Sequence, residues 1–307
     1  MNENKDARLG LTVALITQCI WGLLPLWTGL YTHTPAMQLF VWRVLFCALT
    51  ATIFVFLLNQ HQALFALLRS PRRWPPYVFA GCLLACNWFG FFRCVEVDRV
   101  LEVSFATYLL PLLSIAVGVL FLREKLTIWT GVGLTAAALG VGAMFLNAAG
   151  APWFGLLLAT TFATYTVIRK MNPIAPLAGL AFETWVMALG VTAFLLLTPG
   201  NTYFAPSGDL AHTAWMISFG PQTALTMVMF NFATHHLKLS TTGMLQFVSP
   251  TIVLVTALLF GEPLTGAKAA GFALIWIGVV CYMIDAIRAR AAHKAEMERT
   301  IESLDVR

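Results

Sequence analysis

The chain has 307 residues, of which 59% are hydrophobic and 11% are charged, with a mean hydropathy of +0.78 and a net charge of +5. About a quarter of the residues in a soluble domain are charged, so this composition excludes a soluble fold and predicts an integral membrane protein. The positive charge does not indicate nucleic-acid binding, because the basic residues lie in short loops between apolar runs.

Ten apolar segments are long enough to cross a bilayer, which takes about 20 residues. The first continues to about Leu30, too long for the apolar part of a cleavable signal peptide. Short loops containing Pro or Gly separate the segments and leave no room for a soluble domain. The predicted spans are 9–31, 36–58, 75–96, 102–122, 127–146, 153–170, 176–197, 212–235, 240–261 and 265–286.

The sequence repeats itself with a period of about half its length. The segment 101–127 and the segment 240–265 each carry a proline near the middle of an apolar run and a glutamate near its end. Such a period indicates a duplicated unit rather than a solenoid of short repeats. The matched residues are Pro111 and Pro250, Glu124 and Glu262, Gly133 and Gly271, and Gly140 and Gly278.

Each half of the chain contributes five predicted spans. Because five is odd, the two halves must enter the membrane in opposite senses. Inverted repeats of this kind are typical of secondary transporters, which bind substrate near the midplane between the halves. We therefore predict a first five-helix repeat over 1–147, a second, inverted repeat over 148–287, and a charged cytoplasmic tail over 288–307.

The loops on one side of the predicted membrane carry nearly all of the basic residues. Only Arg99 and Lys268 fall in loops on the other side. Loops rich in Lys and Arg usually face the cytoplasm, so both termini are predicted to be cytoplasmic. The residues on the cytoplasmic side are Lys5, Arg8, Arg69, Arg72, Arg73, Arg123, Lys125, Arg169, Lys170, Lys238, Arg288, Arg290, Lys294, Arg299 and Arg307.

Two ionisable residues lie deep in predicted spans, Arg43 in the second and Glu183 in the seventh. Charged groups at such depth usually face a bundle interior or a water-filled cavity. In an inverted pair they fall near opposite membrane faces, which favours separate roles over a mutual salt bridge. Arg43 is a candidate to hold an anionic group of a substrate. Glu183, the one deep and isolated carboxylate, is a candidate to hold an amine or carry a coupled proton. The alternative is that each caps backbone carbonyls or locks a closed gate.

Neutral polar and aromatic residues near the middle of the spans complete the candidate site. A proline within a span frees a backbone carbonyl, and such breaks are tolerated where they line a cavity or pack on neighbours. Aromatic walls with a few polar groups are typical of small-molecule pockets, although packing is the alternative role for each aromatic residue. These candidates are Trp21, Pro25, Asn87, Trp88, Tyr108, Tyr165 and Gln246.

The sequence offers no motif for a metal, a cofactor or catalysis. The six cysteines lie in apolar runs without a C-x-x-C pair and are interpreted as small hydrophobic residues. His235 and His236 lack further ligands at matched depth and are interpreted as interfacial residues. The phosphate-binding loop, the zinc-protease pattern and the serine-hydrolase elbow do not occur, so neither an ATP-driven pump nor an enzyme is predicted.

The order of these motifs resembles the EamA family of the drug/metabolite transporter superfamily, and in particular its RarD-type branch. Each half ends in a proline and a glutamate before a Gly-rich span. The motifs that carry the resemblance are Trp21-Gly22-Leu23-Leu24-Pro25, Arg43-Val44, Asn87-Trp88, Leu101-Glu102 with Ser104 and Tyr108, Tyr165 with Arg169-Lys170, Glu183-Thr184, Leu239 to Gly243, Gln246-Phe247, Gly261-Glu262, Phe272 with Trp276, and Asp285-Ala286. Arg93 and Glu96 depart from the pattern, since an aromatic residue and an asparagine are expected there.

The resemblance implies a carrier of the bacterial inner membrane that works by alternating access. Its expected substrate is a small organic solute, either amino-acid-like or an aromatic metabolite or drug, with amphenicol-like compounds included. Export is the expected direction, protons are a candidate coupling ion, and the protein is expected to be a monomer or a homodimer. The competing hypothesis is a non-transporting membrane receptor or assembly protein on the same fold.

Overall fold

The computed structural model describes residues 3–31, 33–97, 100–121, 123, 127–146, 153–206, 208–259, 266, 269–281, 284–285 and 288. Within these residues every regular element is a helix. The helices are α1 (Glu3–Thr28), α2 (Ala36–Leu57), α3 (His61–Leu68), α4 (Trp74–Glu96), α5 (Val100–Leu120), α6 (Ile128–Leu146), α7 (Trp153–Met171), α8 (Pro176–Leu197), α9 (Leu210–His236), α10 (Leu239–Gln246), α11 (Val248–Leu259) and α12 (Ala269–Cys281).

Five stretches of helix in the described part of the chain are long and apolar enough to cross a membrane: Asp6–Thr28, Ala36–Leu57, Pro71–Cys94, Pro176–Leu197 and Leu239–Thr256. Three shorter apolar helices accompany them, Ala106–Leu120, Ile128–Ala143 and Ala269–Cys281. An all-helical membrane protein is thereby confirmed. The count of ten spans and the cytoplasmic placement of both termini stay predictions.

Two local features were not predicted from the sequence. The short helix α3 lies between the second and third spans, and Leu67 is fully buried there while its carbonyl accepts a 2.9 Å hydrogen bond from the indole of Trp74. The ninth span is divided at Phe247 into α10 and α11. Pro250 contributes to this break, because proline has no N–H to donate to the carbonyl four residues before it.

The helices pack in pairs that match across the two halves of the chain. α1 contacts α9, α10 and α11, and its counterpart α7 contacts α4 and α5. α2 packs on α8, while α5 packs on α10. A duplicated five-helix unit predicts these paired contacts. The proposed boundary between residues 147 and 148 lies outside the described residues and stays a prediction.

α6 and α12 cross at two pairs of glycines. A Cβ added at Gly133 would lie 2.6 Å from the carbonyl oxygen of Gly278, and a Cβ added at Gly140 would lie 2.6 Å from that of Gly271. A Cβ at Gly278 would in turn overlap the carbonyl of Gly133. Small residues let helix backbones approach closely, which stabilises helix pairs in lipid by van der Waals contact.

We expect Gly133→Ala to destabilise the protein, because its new methyl group overlaps backbone that cannot move away without separating the helices. Overpacking of this kind costs about 1–3 kcal/mol. Gly131→Ala is the matched control, since nothing lies within 4 Å of its added Cβ. Melting temperatures of the two purified variants in the same detergent test the prediction. Equal melting temperatures would contradict it.

Candidate functional site

A cavity of about 640 Å³ lies among helices from both halves of the chain. It is bounded by α1, α2, α4, α5, α7, α9, α10 and α11. Its lining follows α1 from Gln18, which is buried, to Thr28, the last residue of the helix. The cavity therefore extends from within the bundle to the end at which α1 ends. Its volume is in the range of pockets for small organic molecules, roughly 300–1,000 Å³.

Six of the nine predicted site residues line this cavity: Trp21, Pro25, Arg43, Asn87, Trp88 and Gln246. The other three, Tyr108, Tyr165 and Glu183, lie outside its lining. The ring of Tyr108 meets that of Phe272 edge-on at 5.3 Å between centroids, which links α5 to α12. The binding role of all nine residues stays a prediction.

Arg43 is held against the cavity wall by aromatic rings. Only 8% of the residue is exposed, and its guanidinium carbon lies 4.3 Å from the ring centroid of Trp88 and 5.5 Å from that of Phe92. A cation over an aromatic face is stabilised by the ring quadrupole, by about 2 kcal/mol or more when it is desolvated. The Nε of Arg43 has no hydrogen-bond partner among the described residues.

Two amide side chains in the cavity wall also join helices. Nδ2 of Asn87 donates to the carbonyl of Leu158 at 2.8 Å and to the hydroxyl of Thr161 at 3.2 Å, which ties α4 to α7. Oε1 of Gln246 accepts a 3.1 Å hydrogen bond from Ser114, which ties α10 to α5. These bonds fix both side chains in the wall of the cavity.

Outside the cavity, four residues form what we term the buried polar cluster: Tyr165, Arg169, Glu183 and Asn231. None of them is exposed to solvent. A nitrogen of Arg169 lies 3.3 Å from Oε1 of Glu183 in an ion pair. The hydroxyl of Tyr165 donates to Oε2 of Glu183 at 3.3 Å and accepts a 2.7 Å hydrogen bond from Nδ2 of Asn231. The cluster thus connects α7, α8 and α9.

The backbone around the cluster is shaped to receive the Arg169 side chain. Its guanidinium lies where a Cβ would stand at Gly179, so any larger residue there would displace the guanidinium. The carbonyl of Arg169 lies 3.1 Å from Nε2 of His235 at the end of α9. The neighbouring His236 packs against Gly10 near the start of α1. The cluster therefore lies toward the end of the bundle at which α1 begins, opposite to the end that the cavity reaches.

Two expectations about these charges are wrong. Arg169 was predicted to lie at a loop, yet it is buried inside α7. Glu183 was predicted to be an isolated carboxylate, yet Arg169 pairs with it. The sequence signal that could have predicted this ion pair is the short connection between α7 and α8, because opposite charges near the facing ends of two consecutive helices can meet. As predicted, Arg43 and Glu183 do not pair with each other.

Glu183→Gln should destabilise the protein, because it leaves the charge of Arg169 buried without a counter-charge. Removing one member of a buried ion pair costs about 3–5 kcal/mol, whereas replacing both members is often nearly neutral. The double variant Arg169→Met/Glu183→Gln should therefore melt at a higher temperature than the single variant. Thermal unfolding of both in detergent measures the difference. A double variant that melts below the single one would contradict the predicted coupling.

Comparison with known sequences identifies relatives along nearly the whole chain. The profile of the EamA-like transporter family matches residues 8–146. An uncharacterized transporter of Pseudomonas aeruginosa is 35% identical over 92% of this chain and 96% of its own. The RarD protein of Streptomyces exfoliatus is 31% identical over 97% of this chain and 95% of its own, and the RarD protein of Escherichia coli is 26% identical over 93% and 97%.

A solved protein structure has a similar fold. It superimposes with a TM-score of 0.68 and 18% sequence identity, and the match covers 91% of this chain and 97% of the other. At this identity the likeness concerns the fold alone.

Proposed function

The chain belongs to the EamA-like transporter family, in its RarD-type branch, and we propose that it is a secondary transporter that moves a small organic solute by alternating access. The observation that carries this proposal is the asymmetry between the two ends of the bundle. The cavity reaches one end, and the buried polar cluster joins α7, α8 and α9 toward the other. A carrier that exposes its binding site to one side at a time needs one end open and one closed.

The basic loops give this asymmetry a direction. They favour a cytoplasmic location for the end at which α1 begins. The cavity then faces the periplasm of the bacterial inner membrane, and the buried polar cluster closes the cytoplasmic end. In this assignment the structure corresponds to the state from which an exporter releases its substrate.

The substrate we propose is an amino-acid-like or aromatic compound. Trp21 packs edge-on against Phe162 at 5.8 Å and at a tilt against Phe230 at 5.3 Å, and it lines the cavity together with Trp88. Flat apolar walls of this kind bind rings, while Arg43, Asn87 and Gln246 supply polar contacts at fixed positions. Amphenicols are aromatic compounds of the class that the family resemblance implies, and they belong in a first screen.

Alternating access is tested by two reporter cysteines in a background without the six native cysteines. Thr28→Cys lies in the cavity wall at the end it reaches, whereas Thr234→Cys is fully buried near the cluster. We expect a water-soluble maleimide to label the first readily and the second slowly. A transported solute should change the two labelling rates in opposite directions, as the states exchange.

The competing function is a receptor or assembly protein that does not transport. It predicts that a solute which raises the melting temperature leaves both labelling rates unchanged. That result would contradict alternating access. The matched control is Gly131→Cys on α6, away from the cavity and the cluster, whose labelling should not respond to solute in either case.

We also propose that transport is coupled to protons and that Glu183 carries the coupled proton. The ionisable groups that face this carboxylate are Arg169 and Tyr165 of α7, with Tyr77 of α4 packed against the Arg169 guanidinium at 5.8 Å. Protonation would remove the negative charge and with it the attraction to Arg169. The three helices could then separate and open the cytoplasmic end.

Glu183→Gln should abolish the pH dependence of transport, because its amide cannot bind or release the coupled proton. The measurement is the pH profile of solute uptake into proteoliposomes, normalised to the folded protein recovered. Glu96→Gln is the matched control and should keep the profile, since Glu96 forms a partly exposed ion pair with Arg93 outside the cluster. Unchanged pH dependence in Glu183→Gln, and in the double variant with Arg169→Met, would refute the proton role.

A further inference from the structure

We infer that the cavity binds organic anions, namely monocarboxylates with an aromatic or otherwise apolar body, and that Arg43 provides the counter-charge. This inference deepens the proposed function by naming the charge of its substrate. It rests on the charge balance of the cavity, on its unpartnered hydrogen-bond donors and on the chemistry of its walls.

The charge balance is uneven. Arg43 is the one charged residue in the described lining, which contains no aspartate or glutamate. The other deeply buried arginine, Arg169, is neutralised by Glu183 at 3.3 Å. Among the described residues, the same fold thus compensates one buried cation with a carboxylate and offers none to the other. A buried charge without a partner is unfavourable, so an anion that enters the cavity gains an interaction that the empty protein lacks.

The hydrogen-bonding groups of the lining agree with this charge. Three buried side-chain atoms of the lining have no partner among the described residues, and all three are nitrogen donors: Nε of Arg43, Nε2 of Gln18 and Nε2 of Gln246. Buried polar groups are normally satisfied, and the exceptions call for an explanation. A carboxylate at Arg43 and a second oxygen acceptor near the two glutamines would satisfy them.

The rest of the cavity specifies the body of the ligand. Trp21, Trp88, Phe91 and Phe162 are its aromatic lining residues. A substrate ammonium group would meet no carboxylate in the described lining, and it would add a second positive charge near Arg43. An anion is therefore favoured over an amine, over a zwitterionic amino acid and over a neutral amphenicol.

The test compares ligands of one shape that differ in charge. The probes are 3-phenylpropionate, its neutral amide 3-phenylpropionamide, the cation phenethylamine, the zwitterion phenylalanine, and chloramphenicol. Binding to the purified full-length protein in lipid nanodiscs is measured by isothermal titration calorimetry and by the shift in melting temperature. Because hydrogen bonds to charged groups are stronger than neutral ones, we expect 3-phenylpropionate to bind roughly 10- to 100-fold more tightly than its amide.

Substitutions test whether the preference for the acid over the amide depends on Arg43. Arg43→Gln should remove the difference between the acid and the amide, and Arg43→Lys should retain part of it because the charge remains. Arg93→Gln is the matched control, since Arg93 is a half-exposed arginine of α4 outside the cavity lining. The affinity of the Arg93→Gln variant for 3-phenylpropionate should stay within about twofold of that of the parent protein, because a surface ion pair contributes little.

Several results would overturn the inference. These are equal affinity for the acid and the amide, preference for the amine, phenylalanine or chloramphenicol, an unchanged preference in Arg43→Gln, or no binding of the carboxylate by folded protein. Binding is measured at equilibrium and does not require transport. If the protein binds the carboxylate but fails the cysteine-accessibility test, only the transport proposal is refuted. If the labelling rates respond to solute but binding shows no charge preference, only this inference is refuted.

Discussion

The ion pair between Arg169 and Glu183 is the interaction around which one end of the bundle is organised. Both side chains are fully buried, where an unpaired charge would be strongly unfavourable. The neighbouring sequence meets this constraint at several points: Gly179 leaves room for the guanidinium, Tyr165 donates to the carboxylate, and Asn231 extends the network to α9. Because these residues lie on three helices, the ends of α7, α8 and α9 can separate only when the charges are compensated in another way. A proton or a structural rearrangement would have to provide that compensation.

Arg43 presents the complementary case on the cavity side. Among the described residues its charge faces two aromatic rings and no carboxylate, and its Nε has no hydrogen-bond partner there. The rings partly stabilise the cation. The folded protein can therefore keep the guanidinium at the cavity, and the space that a ligand would need stays unoccupied by protein groups. One buried arginine thus closes a contact within the protein, and the other is the one that we propose to bind a ligand. This division is the physical basis for the proposed substrate site and for the proposed closed end.

Helix packing in this chain relies on small residues as much as on large apolar ones. Bulky apolar side chains fill the contacts among α2, α4, α8 and α9, where Phe40, Leu84, Phe182 and Phe219 belong to one core. Glycines instead set the distance between α6 and α12, and Gly243 does the same where α10 meets the carbonyl of Pro111 on α5. In lipid, apolar surface alone does not hold helices together, so close backbone contact and buried hydrogen bonds must do so. The bonds from Asn87 to α7 and from Ser114 to Gln246 serve this purpose at the cavity wall.

The sequence by itself determined the membrane character, the placement of most helices and six residues of the cavity wall. Composition and apolar run length are local properties, and Arg43, Asn87 and Gln246 stand out because polar residues are rare inside spans. Only the tertiary structure decided which charges meet. Arg169 looked like a loop residue because its depth depends on where α7 ends, and Glu183 looked isolated because its partner lies on another helix. Tyr108 and Tyr165 were placed with the cavity because a periodic pattern does not specify which neighbour each helix face contacts. Pairing and exposure depend on how helices are oriented around one another, and that orientation is set by contacts between residues far apart in the chain.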